Sequence, residues 1–431
     1  MKEDYLHYLW RLKKFRQDDL RTTQGEPIAI EQFGTLNTDA GPDFLNARLT
    51  IGDTRWAGNV EMHLKSSDWL VHNHSQDLAY NNVILHVVLH EDVPITNSHG
   101  KRIPCLELHD RLPPALHARY LRLLHEQGPI PCHKLLPDAD LPSLPLWLDR
   151  LLIERLERKA TAVKATLEAT RHDWEVTMLR TLARYYGGTV NGAAFEQMIE
   201  RLPLPLLLRE RAHAEALVFG QAGFLSDTTE PMDDYRRQLA EAYGHLQHKH
   251  RLTPLPSVMF KFARLRPAGF PTVRLAQLAA LLRQAAPLFS HIKSLESVSS
   301  LTELFATSPD SYWDTRYRFG EAKADADAKP KVPGQGLVHS LIINAVVPVL
   351  FAYAQSRDDA AMQERVLEWL HQLKAEQNTI TRIWKKLGIR ATSAHQSQAL
   401  IQLKREYCDA FRCLECSIGN RLLSTAPDGE K

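Results

Sequence analysis

Residues 41–65, GPDFLNARLTIGDTRWAGNVEMHLK, decide how the chain is read. Two strand-like runs, Leu45 to Ile51 and Arg55 to Lys65, flank Gly52-Asp53, a dipeptide suited to a hairpin turn. In the second run alternate side chains share a face, so Glu61, His63 and Lys65 point one way. Val60, Met62 and Leu64 then point the other way, into a core. A turn at Gly52-Asp53 pairs residues whose numbers sum to about 105. That register sets Asp43 opposite Met62, beside Glu61 and His63, subject to any bulge at Gly58. Two carboxylates thus meet at one sheet end, with a lysine and a histidine adjacent.

Working outward, Tyr5, Leu6, Leu9, Trp10, Leu12 and Phe15 recur at helical spacing, and Pro27 to Phe33 reads as a strand. Ser66 or Ser67 caps an expected helix running to about Tyr80, with Asp68 in its first turn. Val83 to Leu89 is an apolar, β-branched run, the pattern of a strand buried on both faces. A last strand is expected near Ile103 to Leu108. The order is helix, three strands, helix, strand: a mixed α/β core over residues 1–110.

After Pro113 the pattern turns helical. Helices are expected over Trp147–Thr170, Trp174–Tyr186, Ala193–Arg201, Leu206–Phe219 and Asp233–His250, broken by prolines and by Gly187-Gly188. Others follow at Val273–Ala285, Gly336–Ala354, Ala360–Glu376, Thr379–Leu387 and His395–Cys413, while Ala322–Pro333 reads as an exposed loop. The expected fold is therefore α+β. An N-terminal α/β core is followed by a linker over 111–142 and a large all-helical region over 143–431, of one or two subdomains.

Composition narrows the setting. The 431 residues are 44% hydrophobic and 24% charged, as in globular proteins. No apolar run reaches the roughly 18 residues of a membrane span, and the longest, Leu341 to Tyr353, reads as a buried helix. Met1 to Trp10 is charged and aromatic, without the apolar stretch of a signal peptide. A cytoplasmic location without membrane association is the expectation. A net charge of +2 neither points to nucleic acid nor excludes it.

The pairing of Asp43 with Glu61 suits Mg²⁺ or Mn²⁺, which prefer carboxylate oxygen and keep waters that can attack. Lys65 or His63 is then placed to assist that water or to stabilise charge on a phosphoryl oxygen. Here the chain resembles the PD-(D/E)xK nuclease superfamily. Pro42-Asp43 matches the first half of its signature, and Glu61 matches the acidic residue on the next strand. His63 stands where the lysine is usual, and Lys65 arrives two residues later. Gln76-Asp77-Leu78-Ala79-Tyr80 resembles the Q-x-x-x-Y of RecB-like exonucleases, with Gln76 and Tyr80 on one helix face beside Trp69 and Asn73. The resemblance implies a restriction-endonuclease-like core and metal-dependent cleavage of DNA or RNA. The alternative is a scaffold or nucleic-acid-binding protein that keeps the fold without the chemistry.

Further histidines crowd this region. His72 and His74 cannot both face one way on a helix, so they form no ligand pair there. His86 and His90 share a strand face and could line the site edge.

Five cysteines are present, three of them in Cys408-x₄-Cys413-x₂-Cys416. Short spacing lets thiolates converge on zinc or an iron–sulfur cluster. On an unbroken helix these three would spread over about 140° of arc, so a break after Cys413 would help them converge. A fourth ligand would come from Cys132, Cys105 or His133. Some RecB-like nucleases carry one upstream cysteine and a C-terminal trio around a [4Fe–4S] cluster, which this arrangement resembles in outline. Buried packing is the other reading, since free cysteine is among the most buried residue types. The basic stretches Arg264–Arg274 and Arg382–Arg390 read as solvated or helix-capping charges.

Over nearly its full length the chain also resembles an uncharacterised bacterial family, through Trp56–Trp69, Val83–Leu89, Arg266–Leu278 and Cys408–Leu422. That resemblance implies a bacterial cytoplasmic origin and no particular activity.

Overall fold

The computed structural model describes residues 2–137, 139–226, 232–320 and 328–424. The chain forms two compact units, one made of Met1–Leu144 with Lys404–Lys431, the other of Pro145–Leu403. The boundary lies later than the expected one near residue 110, because helix α3 (Pro114–His125) buries Leu116, Tyr120 and Leu123 within the first unit. The C-terminal segment, expected to extend the helical region, returns to the first unit as well.

The first unit is built on a mixed six-stranded sheet. Its strands are β1 (Ile28–Gln32), β2 (Thr35–Leu36), β3 (Phe44–Ile51), β4 (Thr54–Lys65), β5 (Val83–His90) and β6 (Cys105–Glu107). The order is β1-β3-β4-β5-β6, with β2 also paired to β3. Only the two-residue β2 lacked a signal in the sequence. The β3–β4 hairpin turns at Gly52-Asp53, where Gly52 takes the positive φ of 56° that the first position of a type II′ turn needs. Arg48↔Ala57 through Ile51↔Thr54 keep the expected register. The bulge falls on β3 rather than at Gly58: Asn46 has φ 60°, and Phe44 then faces Val60. That one-residue shift sets Asp43 across from Glu61 instead of Met62.

β4 and β5 run parallel, so residues 66–82 must cross over between them. Gly58 permits their close approach, since a Cβ there would lie 2.5 Å from Ile84 Cγ2 and 2.6 Å from the Asn82 carbonyl. The core collects where the patterns place it. Val60 and Met62 of β4, Leu85 and Val87 of β5, and Phe44 and Leu49 of β3 are all buried. Helix α1 (Glu3–Arg11) adds Tyr5, Leu6, Leu9 and Trp10, whose indole donates to the Phe33 carbonyl at 2.9 Å and packs edge-on to Phe44.

The expected helix from Ser66 to Tyr80 is the main correction to the fold. Only α2 (Asp68–Val71) is α-helical, followed by 3₁₀ turns over His74–Gln76 and Leu78–Asn82. Asn73 adopts a left-handed conformation (φ 59°, ψ 29°), which a helix cannot pass through and asparagine tolerates. Asp77 is extended and caps the second turn by accepting from the Ala79 amide. Gln76 and Tyr80 therefore share no helix face: Gln76 is exposed and Tyr80 is buried.

The second unit is helical, and most of its longer elements lie on expected segments, but Leu206–Phe219 divides into Leu204–Arg209 and Ala214–Gln221, and Leu288–Ser294 and Val298–Phe305 were not foreseen. Trp174–Glu200 is one element kinked at Gly188, where the Gly187-Gly188 break was expected. Gln335–Ser356 is longer than the apolar run foreseen. A π-turn over Ile342–Val346 lets it continue past Pro348, which has no amide hydrogen to donate. By length and composition this helix could cross a membrane, but 72% of its apolar stretch is buried within the protein. Residues 328–333 of the expected loop are irregular, and 321–327 lie outside the described residues.

Candidate functional site

The site grows from the alternation of β4. Glu61 and His63 lie on one face, 4% and 1% exposed, and β5 sets His86 level with Glu61 on the adjoining strand. At the mouth of the hairpin the Asp43 amide donates to Glu61 Oε2 at 3.1 Å, and the Met62 amide donates to Asp43 Oδ2 at 2.9 Å. The two carboxylates are thus tied together through backbone amides.

The crossover supplies the rest. Ser66 and Ser67 hydrogen-bond Asp92 just beyond β5, with Ser67 Oγ donating at 2.8 Å, and this pins α2 over the sheet. Those bonds, the Ser67 hydroxyl's first, hold the Asp92 carboxyl down at about 2. Because the chain reverses at Asn73, His72 and His74 both turn toward His63, although a helix would have kept them apart. His74 Nε2 lies 3.3 Å from Glu61 Oε1, and His63 Nε2 lies 3.7 Å from the same oxygen. One nitrogen from each of His63, His72 and His74 falls within 4.8 Å of the others. Tyr80 stacks on His74 with ring centroids 3.8 Å apart, and Trp69 packs against His63, His86 and Tyr80.

Electrostatics follow from burial. Burial first, and the Asp43 charge second, push the Glu61 carboxyl up to about 9. Burial and the neighbouring imidazoles push His63 down to about 3, and burial does the same to His86. Both rings are therefore neutral at ordinary pH, as ligation by nitrogen requires. His63 Nδ1 is 2.8 Å from His86 Nε2. A hydrogen on His63 Nδ1 donated across that contact leaves Nε2, with its lone pair, facing His72, His74 and Glu61. In that arrangement His86 sets the tautomer and ring orientation of His63.

Helix α1 closes the site from the other side. His7 Nε2 is 3.2 Å from Asp43 Oδ2; burial lowers its pKa, but the Asp43 carboxylate outweighs this and raises it. Half-buried Glu3 is raised by burial and lies within electrostatic reach of His72, Asp43 and His7. Neither residue stands out in the sequence, beyond a helix whose first turns carry polar residues among aromatics.

Lys65 does not join the group. It is exposed, its amide donates to Asp68 at 3.0 Å, and among the described residues its ammonium is within ion-pair distance of neither carboxylate. His63 occupies the third position. His90, on the same strand face as His86, lies at the exposed end of β5 and pairs with Glu107 at 3.0 Å.

A second group forms near the chain end. Cys132, Cys408, Cys413 and Cys416 are free and buried, and their thiols influence one another electrostatically, though among the described residues no three of their sulfurs come within 4.8 Å of one another as the three histidine nitrogens do. Burial, then the neighbouring thiols, pushes Cys132 and Cys413 up to about 12, and Cys408 rises for the same reasons. The chain breaks before Cys413 rather than after it. The π-turn Leu403–Cys408 ends, Phe411 takes φ 53°, and Cys413–Cys416 form a turn ahead of helix Ser417–Ser424. Gly419 lets that helix lie against the turn, since a Cβ there would sit 2.1 Å from the Cys413 carbonyl. Cys105 sits apart on β6 beside Glu91 and Glu107, and His133 bonds the Ile130 carbonyl at 3.0 Å.

These features define an α+β protein whose mixed sheet carries a carboxylate–imidazole cluster, with Glu61, His63 and His86 buried and His72 exposed. The chain belongs to the family described as protein of unknown function (DUF2851), whose model matches residues 3–379. No curated protein and no solved structure matches it.

Proposed function

We propose that the N-terminal unit is a metal-dependent hydrolase of phosphodiester bonds in nucleic acid, with a core of the restriction-endonuclease type. The observation that carries this reading is the convergence of Glu61, His63, His72 and His74 beside Asp43 at one end of the sheet. The order of helix, hairpin, crossover and returning parallel strand supports the same reading.

Two carboxylates among three imidazoles suit Mn²⁺ or Zn²⁺ better than Mg²⁺, whose sites are built from oxygen. Glu61, His63, His72 and His74 would hold the ion, with Asp43 at its edge. An ion bound there supplies Lewis acidity toward a phosphoryl oxygen and an acidified water. The protein's own groups do the remaining work. The Met62 amide and His7 fix Asp43, His86 orients His63, and Trp69 and Tyr80 pack on His63, His74 and His86 while His72 stays open to solvent. In hydrolysis the attacking water gives up a proton to solvent as its oxygen bonds phosphorus, the bond from phosphorus to the ester oxygen breaks, and that departing oxygen takes up a proton. Glu3, whose carboxyl burial biases toward protonation, stands beside Asp43 and His72 to carry that proton. Lys65, at the exposed end of β4, attracts the phosphate chain rather than acting on the water.

The test is cleavage of single- and double-stranded DNA and RNA by the full chain with Mn²⁺, Zn²⁺ or Mg²⁺. Asp43→Asn and Glu61→Gln are expected to lower the rate at least about a hundredfold while circular dichroism stays unchanged. Cleavage by the wild type that both variants retain overturns the assignment. A wild type inert with every ion instead leaves a nucleic-acid-binding scaffold.

The cysteine group is proposed as a second, structural centre, since four thiols from two chain segments suit zinc or an iron–sulfur cluster. Anaerobic purification separates the outcomes. A broad absorbance near about 400 nm marks a cluster, a colourless protein with stoichiometric zinc marks a zinc site, and neither metal leaves the thiols as packing.

A further inference from the structure

We propose that the cleft between α1 and residues 410–415 is the subsite that receives one base of a single-stranded nucleic acid, stacked on Phe411. This rests on the hydrolase reading above, because the cleft adjoins that site through His7, which lines it while contacting Asp43.

Phe411 has a φ of 53°, the left-handed conformation, which a bulky side chain rarely adopts. Locally the residue ends the π-turn: the Arg412 amide reaches back to the Tyr407 carbonyl at 2.8 Å, the six-to-one bond of a Schellman cap. Glycine fills that position at no steric cost, so the turn alone gives no reason for phenylalanine. Nor does packing, since the ring is 49% exposed. A large aromatic is thus held out at a conformational cost, and strain of this kind concentrates at functional sites.

What the ring faces gives the ligand class. The cleft holds about 200 Å³ and is lined by Phe411 together with Lys2, His7, Tyr8 and Arg11, four residues in and just before α1. That volume suits one base rather than a drug-sized ligand. Asp4 and Glu415 line it too, but Glu415 is paired with Arg412, whose guanidinium also stacks on Tyr407. Exposed Lys2 has no ion-pair partner among the described residues, and Arg11 donates only a long 3.4 Å bond to the Leu414 carbonyl. A stacking ring beside two available cations is the pattern of single-strand binding, where bases stack on aromatics and phosphates meet basic side chains. Duplex ends present their bases already stacked, so a single strand is the form this subsite selects.

The experiment measures binding of a fluorescent oligodeoxythymidylate by polarisation, using the full chain carrying Asp43→Asn and Glu61→Gln, so that nothing is cleaved and any metal at the cysteines is kept. Phe411→Gly relieves the positive φ, so its thermal midpoint is expected to hold or rise while affinity falls roughly tenfold. Arg11→Gln is expected to weaken binding several-fold and reduce the salt slope by about one. Parental affinity in both variants, or no binding by the parent, overturns the proposal. Binding to this cleavage-blocked parent needs no catalysis, so failure of the metal site and failure of this subsite give different results.

Discussion

The carboxylate–histidine site and the cysteine group both gather ligand-type side chains in the N-terminal unit, yet the chain assembles them by opposite routes. The first lies almost wholly within residues 43–86, and sheet register sets its centre: Asp43 meets Glu61 because β3 and β4 pair, and His86 meets His63 because β5 runs beside β4. The second joins Cys132 to Cys408, Cys413 and Cys416, so it forms only once the chain end has returned to the first unit. A site made by register is rigid before any ligand arrives. A site made by chain return can itself hold two distant segments together. The first arrangement suits catalysis and the second suits stability.

That contrast can be broken most sharply at the cysteines. If they clamp the chain end through a metal, Cys416→Ser should lose the metal and lower the thermal midpoint by well over 10 °C, because ligation energy is folding energy. If the thiols only pack, the cost is about 1–3 kcal/mol for a buried hydroxyl, a shift of a few degrees. Differential scanning calorimetry with metal analysis distinguishes the two.

At the register-built site the expected loss is in activity rather than stability. His63→Ala should reduce cleavage at least about a hundredfold, whereas Lys65→Ala should change kcat by less than about threefold and act mainly on KM. The reverse order would show that Lys65 reaches the reacting atoms after all.

A smaller effect concerns pH. Glu61 has its carboxyl raised to about 9 in the fold by burial and Asp43, against 4.5 ordinarily. The folded, metal-free state therefore holds a proton that the unfolded chain gives up as pH rises. Below about 4.5 both states are protonated and no difference arises; between there and about 9 stability falls as pH rises. Glu61→Gln, in chelated protein, should flatten that part of the thermal-midpoint curve. An unchanged slope would mean that Glu61 ionises freely in the fold.

The sheet was legible from sequence because its signals are local: alternation in β4, the Gly52-Asp53 turn and the β-branched run of β5 all survive in the structure. The same locality made Asp43 and Glu61 readable as neighbours. The crossover was not legible, since Ser67-Asp68 promises a helix and one left-handed residue, Asn73, ends it. The misreading hid the histidine cluster, because His72 and His74 diverge on a helix and converge across that reversal. His-Asn-His held the available clue, asparagine being the residue that most readily takes the turn. Glu3 and His7 were invisible for a different reason. Their role depends on where α1 packs, which no short-range pattern specifies. Among the cysteines, spacing identified the trio, but only the fold selects Cys132 over Cys105 and His133.

The central claim is that Glu61, His63, His72 and His74 bind one divalent ion. Calorimetric titration of chelator-stripped protein with Zn²⁺ and Mn²⁺ tests it most directly, with the wild type compared with His72→Ala and His74→Ala. In a Cys416→Ser background the cysteine centre does not contribute. One equivalent should bind to that parent, and either histidine substitution should weaken it by at least about tenfold. Equal affinity in all three proteins, or no binding at all, would contradict the account.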